Sequence, residues 1–220
     1  MTRPVEAPPP SLPRGLRVAA IVSLLFSAPT GFLALSESLG LGQLEEHREA
    51  AKNSPPPSFS LMGDPAIDAR ITQAQYNALA PHRESRALVL GMLSVVCAFV
   101  FVSAGRLLRP DGLPLERMRR MLVVSTIAAA VLRTIDGAQW AVVARRMAPT
   151  LVEAMKGMPA FQGPNSAEEL GVVTWLMPAI SMAFTAAVAG VFALLGQYFQ
   201  SDTVRHAISA QDGALTEEED

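Results

Sequence analysis

The apolar positions of this chain occur in long blocks rather than in a helical or strand period. Four blocks are long enough to cross the hydrocarbon core of a bilayer, which takes roughly 20 residues. The pattern therefore predicts an all-α fold: an integral membrane four-helix bundle with short extramembrane helices and disordered termini. The membrane domain covers residues 15–200, and its predicted spans are 16–36, 87–108, 121–144 and 172–196.

Composition agrees with a membrane protein, since 50% of the residues are hydrophobic and only 17% are charged. The net charge of −2 and the lack of a basic stripe argue against nucleic-acid binding. The partners that we expect are the lipid bilayer and either another membrane protein or a second copy of the chain.

The first span has an alternative interpretation as a cleaved signal peptide. Arg14 and Arg17 precede its apolar run, and Ala34-Leu35-Ser36 offers small residues at a plausible cleavage spacing. The apolar run is longer than the usual 7–15 residues of a signal peptide, so we expect the span to be retained.

The distribution of basic residues predicts the orientation. Arg3, Arg14 and Arg17 precede the first span and no basic residue follows it until Arg48, which places the N-terminus in the cytoplasm by the positive-inside rule. Four spans then return the C-terminus to the cytoplasm and leave 37–86 and 145–170 as exported segments. The connection between the second and third spans agrees, because it is crowded with arginines. Arg145 and Arg146 lie on the exported side, against the rule.

The source membrane is predicted from composition. Arginine far outnumbers lysine, alanine is abundant, and the chain has no N-glycosylation acceptor. These features favour a multi-pass protein of a bacterial inner membrane.

Residues outside the spans divide into disordered ends and short helices. Residues 1–14 form a proline-rich arm that has little to bury, and 201–220 form an acidic tail that is similarly disordered from about Ala207. Asp64-Pro65 predicts the start of a helix over Ala66–Leu79, and Pro81 ends it. Ser166-Ala167-Glu168-Glu169 is a capping box for the fourth helix, and Thr150–Met158 favours a short amphipathic helix.

The third span carries a pair of charges, Arg133 and Asp136, inside an apolar stretch. Charge at that depth is costly and usually faces protein, and residues three apart on a helix can pair. The small and polar residues of this span share the Arg133 side, which should face the bundle. The opposite side should face lipid and carries Val124, Ile127, Val131, Ile135 and Val142.

Polar residues of other spans fall at a similar predicted depth. If the fourth helix runs antiparallel to the third, Ser181 lies level with Asp136 and Thr185 near Arg133, and Ser27 of the first span also lies near the midplane. The predicted intramembrane polar layer consists of Arg133, Asp136, Ser181, Thr185 and Ser27.

The chain offers no constellation for catalysis or metal binding. It has no nucleophile elbow or phosphate-binding glycine loop, and its three histidines lack ligand spacing. Its single cysteine, Cys97, cannot form an intramolecular disulfide. We therefore expect neither an enzyme nor a cofactor or metal.

Two functions remain for the polar layer. Apart from Arg17 and Arg106 at span ends, no other charged residue lies inside a predicted span, which favours a structural clamp or a partner contact in an interaction or accessory subunit. The alternative is a small transporter or channel component in which Arg133 and Asp136 line a polar path.

Overall fold

The computed structural model describes residues 12–53, 65–109, 114–156, 163 and 166–217. Within these ranges every secondary-structure element is a helix, and there is no strand. A 3₁₀ turn, Ala80–His82, connects the third and fourth of seven helices. The helices are α1 Arg14–Gly42, α2 Leu44–Asn53, α3 Pro65–Leu79, α4 Arg83–Leu108, α5 Leu115–Lys156, α6 Ser166–Gln200 and α7 Asp202–Glu217.

Four of these helices, α1, α4, α5 and α6, are long and apolar enough to cross a membrane, which confirms the predicted number of spans and indicates a multi-pass membrane protein. The α5 face predicted to meet lipid is confirmed as exposed, as Val124 and Val131 illustrate. At 1.5 Å per residue, the 42 residues of α5 reach about 63 Å, twice the hydrocarbon thickness. The helix predicted separately at Thr150–Met158 is a continuation of α5 as far as Lys156.

The four long helices pack in a chain of neighbours, α1 on α4, α4 on α5 and α5 on α6. Glycines allow two of these contacts: a Cβ on Gly31 would lie 2.9 Å from the Cβ of Cys97, and one on Gly137 would lie 2.2 Å from Cγ2 of Thr185. Helices α1 and α6 therefore form the two edges of the bundle and share little surface with each other.

We name the two ends of the bundle by a residue at each. At the Glu37 end, α1 finishes and α4 begins, while at the Arg119 end α5 begins and α6 finishes. At the Glu37 end, α3 begins at Pro65 as predicted and packs against α5 near Arg146 and Thr150. Arg48 of α2 donates to Oδ1 of Asn77 in α3 at 3.1 Å.

At the Arg119 end, α7 folds back onto the bundle. Val204 and Ile208, one turn apart, are buried, and the Asp212 carboxylate accepts hydrogen bonds from the amides of Leu115 and Glu116 at 2.9 and 3.0 Å. Asp212 thus caps the start of α5 from another helix. The predicted disorder from about Ala207 is wrong as far as Glu217, because a buried apolar face and a cap hold this segment.

Two predictions about the termini fall mostly outside the described residues. The structure describes the chain from Leu12 and up to Glu217, so the proline-rich arm before Leu12 and the last three acidic residues are not covered.

The predicted start of the fourth helix at Ser166 is confirmed.

Candidate functional site

The predicted pair on α5 is present. Nη1 of Arg133 donates to Oδ2 of Asp136, three residues along the same helix. The Asp136 side chain is only 3% exposed, whereas that of Arg133 is 20% exposed. The carboxylate is therefore the more deeply buried partner.

A second arginine, Arg86 of α4, meets the same carboxylate from the opposite side. Its Nη2 lies 3.0 Å from Oδ1 of Asp136, which is close enough for an ion pair although the two groups are not aligned as a hydrogen bond. The Arg86 guanidinium also lies 4.8 Å from the ring centroid of Trp140 on α5, a cation–π contact.

Arg86 binds a third helix through Glu37 of α1. Nε and Nη2 of Arg86 both donate to Oε1 of Glu37, at 3.1 and 2.7 Å. Two arginines and two carboxylates, Glu37, Arg86, Arg133 and Asp136, thus form one neutral network across α1, α4 and α5. We call it the charge cluster.

Half of the charge cluster, Glu37 and Arg86, lies outside the predicted spans, whose limits are too tight. The first predicted span ends at residue 36 and the second begins at 87, which assigns Glu37 and Arg86 to an exported segment. In the structure both lie inside helices, five residues before the end of α1 and at the fourth residue of α4. Opposite charges at the facing ends of two consecutive antiparallel spans were the available signal.

The same residues correct the expectation that Arg133 and Asp136 have no charged partner on another span. They also place the cluster at the Glu37 ends of α1 and α4, because Arg86 lies within the first turn of α4, whereas Arg133 and Asp136 lie midway along the longer α5.

Ser181 and Thr185 of α6 lie beside the charge cluster. Together with Trp140 and Phe184 they line a small cavity of about 160 Å³ whose remaining wall is the charge cluster itself. Thr185 packs on Gly137, one residue from Asp136, rather than nearest to Arg133.

Ser27 is not among the residues that line this cavity. Its hydroxyl donates to the carbonyl of Leu24 in its own helix at 3.4 Å, and it is buried. Ser27 lies ten residues before Glu37, about 15 Å along α1. The prediction placed Ser27 in the polar layer because it took the spans to be level at their midpoints.

A larger cavity of about 710 Å³ opens beside the small one, between α1 and α6. The two cavities share Glu37, Arg133 and Phe184. The walls of the larger cavity are mainly apolar, and Leu33 and Phe184 are 65% and 64% exposed there. We call this cavity the α1–α6 groove.

The charge cluster can hold helices together and can present one cation to a ligand. Nε of Arg133 has no hydrogen-bond partner among the residues that the structure describes. Within the same residues, no group of three or more histidine, cysteine, aspartate or glutamate side chains could hold a metal ion. Cys97 is buried between α1 and α4.

No protein-family model matches this chain, and neither a curated protein nor a solved structure matches it. The features of this chain that indicate a function are therefore the charge cluster, the α1–α6 groove and the surfaces outside the spans.

Proposed function

We propose that this chain is an interaction or accessory subunit of a bacterial inner membrane, inserted through its four long helices with both termini in the cytoplasm. In this orientation the Arg119 end faces the cytoplasm. Arginines at that end support the assignment by the positive-inside rule: Arg14, Arg17, Arg106, Arg109, Arg117, Arg119 and Arg120. The Glu37 end, with α2 and α3, faces the exported side.

The observation that carries the proposal is the pairing of every charge in the charge cluster. Arg86 contacts both carboxylates and Arg133 contacts Asp136, so the four groups neutralise one another across three helices. A buried pair of this kind fixes the rotation and register of the helices that it joins, whereas a proton relay needs a group that can exchange its partner. The pairing therefore favours a clamp.

A clamped bundle leaves surfaces, rather than reactive groups, available for function. Helices α2 and α3 are less apolar than the four long helices, and α5 continues to Lys156, past its predicted span of 121–144. Arg145 and Arg146 are exposed on this part of α5. We infer that these helices contact a partner protein on the exported side.

Native mass spectrometry of the protein, gently extracted from its host membrane, tests this role. We expect a second, different polypeptide at fixed stoichiometry. Replacing Arg145 and Arg146 with glutamine should reduce its recovery, while Arg106→Gln at the opposite end serves as the control. Recovery of the chain only by itself would contradict the proposal.

The alternative, a small transporter or channel component, is favoured by one observation: the cavity at the charge cluster lies beside the α1–α6 groove, and both are lined by Arg133. Cysteine accessibility distinguishes the two functions. In a Cys97→Ser background, a water-soluble thiol reagent should label Asp136→Cys if the cluster lines an aqueous path and should leave it unlabelled if the cluster is a clamp. Arg146→Cys is the accessible control and Val131→Cys is the lipid-facing control.

A further inference from the structure

We propose that the α1–α6 groove binds one phospholipid whose head group carries both a phosphate and a primary ammonium. The phosphate would lie against Arg133 and the ammonium against Glu37. This inference does not rest on the accessory role, because it follows from the groove and its two charges alone.

The shape of the groove fits one lipid chain in one leaflet. Helices α1 and α6 approach each other at the Arg119 end, where a Cβ on Gly15 would lie 2.8 Å from the hydroxyl of Tyr198. Toward the Glu37 end a cavity of about 710 Å³ separates them, and α1 lines it from Leu25 to Glu37. That stretch is about 18 Å long, close to the thickness of one leaflet of a hydrocarbon core of about 30 Å.

The walls of the groove are suited to an acyl chain. Leu25 and Leu33 of α1 face Phe184 and Val188 of α6 across it. The first three of these side chains are 64–66% exposed, so their apolar surface meets whatever fills the groove.

At its Glu37 end, the groove is lined by one cation and one anion that each remain partly exposed. Arg133 binds Asp136 through Nη1 and its Nε is buried, but its side chain is still 20% exposed and lines the groove. Both hydrogen bonds that Glu37 accepts from Arg86 fall on Oε1, and the Glu37 side chain is 42% exposed. A carboxylate facing lipid is costly unless a cation meets it.

Charge complementarity selects the occupant. A guanidinium binds phosphate oxygens strongly, and a primary ammonium can donate hydrogen bonds to a carboxylate. A transmembrane helix of a second copy or a partner would bring apolar side chains to both charges and leave them unmatched. A purely anionic lipid would satisfy Arg133 but would place a negative head group beside Glu37.

Native mass spectrometry with defined lipids tests the proposal. The purified full chain is equilibrated in micelles that contain phosphatidylethanolamine, phosphatidylglycerol and phosphatidylcholine in equal amounts and with identical acyl chains. We expect one bound phosphatidylethanolamine, preferred roughly tenfold over each other lipid, because only its ammonium donates hydrogen bonds to Glu37.

Two matched variants locate the site. Leu33→Trp fills the groove and should abolish retention, whereas Leu35→Trp, an exposed position on α1 outside the groove, should retain the lipid as wild type does. Glu37→Gln leaves the groove open, and should bring the ratio of phosphatidylethanolamine to phosphatidylglycerol close to one. Glu37→Gln keeps the test decisive if thermal melting shows that Leu33→Trp fails to fold.

Three results would overturn the proposal. One is equal retention of the three lipids by the wild type, and another is unchanged retention by a folded Leu33→Trp variant. The third is a disulfide-linked dimer of Leu33→Cys in a Cys97→Ser background, which would place a second copy at the groove. None of these depends on whether another polypeptide co-purifies, so the two proposals fail separately.

Discussion

Arg86 reaches Asp136 across the interface of α4 and α5, with Nη2 of the arginine 3.0 Å from Oδ1 of the aspartate. The two residues lie 50 positions apart in the chain, and both side chains are 3% exposed. Because the same guanidinium also binds Glu37, one side chain joins α1, α4 and α5. The stability of the bundle should therefore depend more on Arg86 than on the local pair within α5.

Replacing Arg86 with glutamine tests this dependence. The variant leaves Glu37 without its cation and Asp136 with Arg133 alone, so we expect a loss of about 3 kcal/mol in the free energy of unfolding, the order found when one partner of a buried pair is removed. Arg106→Gln, at an exposed position of the same helix, should change it by less than about 0.5 kcal/mol. Unfolding in mixed micelles, followed by circular dichroism, measures both. Equal losses in the free energy of unfolding for the two variants would show that Arg86 does not stabilise the bundle.

Removing Asp136 alone should cost more than removing it together with Arg133. Asp136→Asn leaves two arginines for one carboxylate, whereas the double variant Arg133→Gln/Asp136→Asn keeps Arg86 paired with Glu37 and the cluster neutral. We expect the single variant to be less stable than the double variant by about 1–2 kcal/mol, since a buried unpaired charge is worse than none. The same unfolding assay and the amount of inserted protein report the order. A double variant that is the less stable of the two would contradict it.

The number of spans and the inward face of α5 could be predicted from the sequence because they depend on local composition and on a helical period of 3.6 residues. Val124 and Val131 face outward and Asp136 faces inward for that reason. The pair of Arg133 and Asp136 follows from the same geometry, since residues three apart meet on one helix.

The remaining half of the site depends on how two helices align, which local patterns do not determine. Glu37 and Arg86 meet because α1 and α4 run antiparallel, and Ser38 donates to the carbonyl of Ala87 at 2.9 Å next to them. A span predicted from hydropathy ends at the first charged residue, although the helix itself can continue through a charge that is paired. Likewise, α7 is held by the hydrogen bond that Asp212 accepts from the amide of Leu115, a residue 97 positions away in the chain.

Gly137→Ala should separate α5 from α6. A Cβ at this position would lie 2.2 Å from Cγ2 and 2.7 Å from Cβ of Thr185, so the helices must move apart, and overpacking of this kind costs typically about 1–3 kcal/mol. Gly190→Ala is the control, because a Cβ there meets nothing within 4 Å. Adding Thr185→Gly to Gly137→Ala removes the contacting atoms and should restore part of the loss. Thermal melting in micelles compares the three. No recovery in the double variant would place the strain elsewhere.

Asp212→Ala should release α7 from the start of α5. The carboxylate accepts from the amides of Leu115 and Glu116, and loss of such a cap costs about 0.5–2 kcal/mol. Hydrogen exchange should quicken at these two amides and along α7. Ser209→Ala, at an exposed position of α7, should leave exchange unchanged. Protection that persists in Asp212→Ala would mean that Val204 and Ile208 hold α7 without the cap.

Glu116 makes the stability of the Arg119 end depend on pH. Hydrogen bonding from Arg119, and then from Arg120, lowers the pKa of Glu116 from its ordinary value of 4.5 to about 2, although partial burial opposes the shift. Arg119 is held at the same time by the carbonyl of Phe199, to which its Nη1 donates at 2.8 Å, so the carboxylate stabilises a contact between α5 and α6.

Because the folded state holds Glu116 ionised to lower pH than the unfolded state does, the stabilisation is complete above pH 4.5 and is lost as the pH falls toward about 2. Glu116→Gln should therefore be less stable than wild type at neutral pH, and the difference should shrink across this window. Arg117→Gln, an exposed neighbour, should follow the wild-type profile. Melting temperatures measured at intervals between neutral pH and about pH 2.5 give the three curves. A wild-type advantage over Glu116→Gln that stays constant to the lowest pH would show that proton binding at Glu116 is not linked to folding.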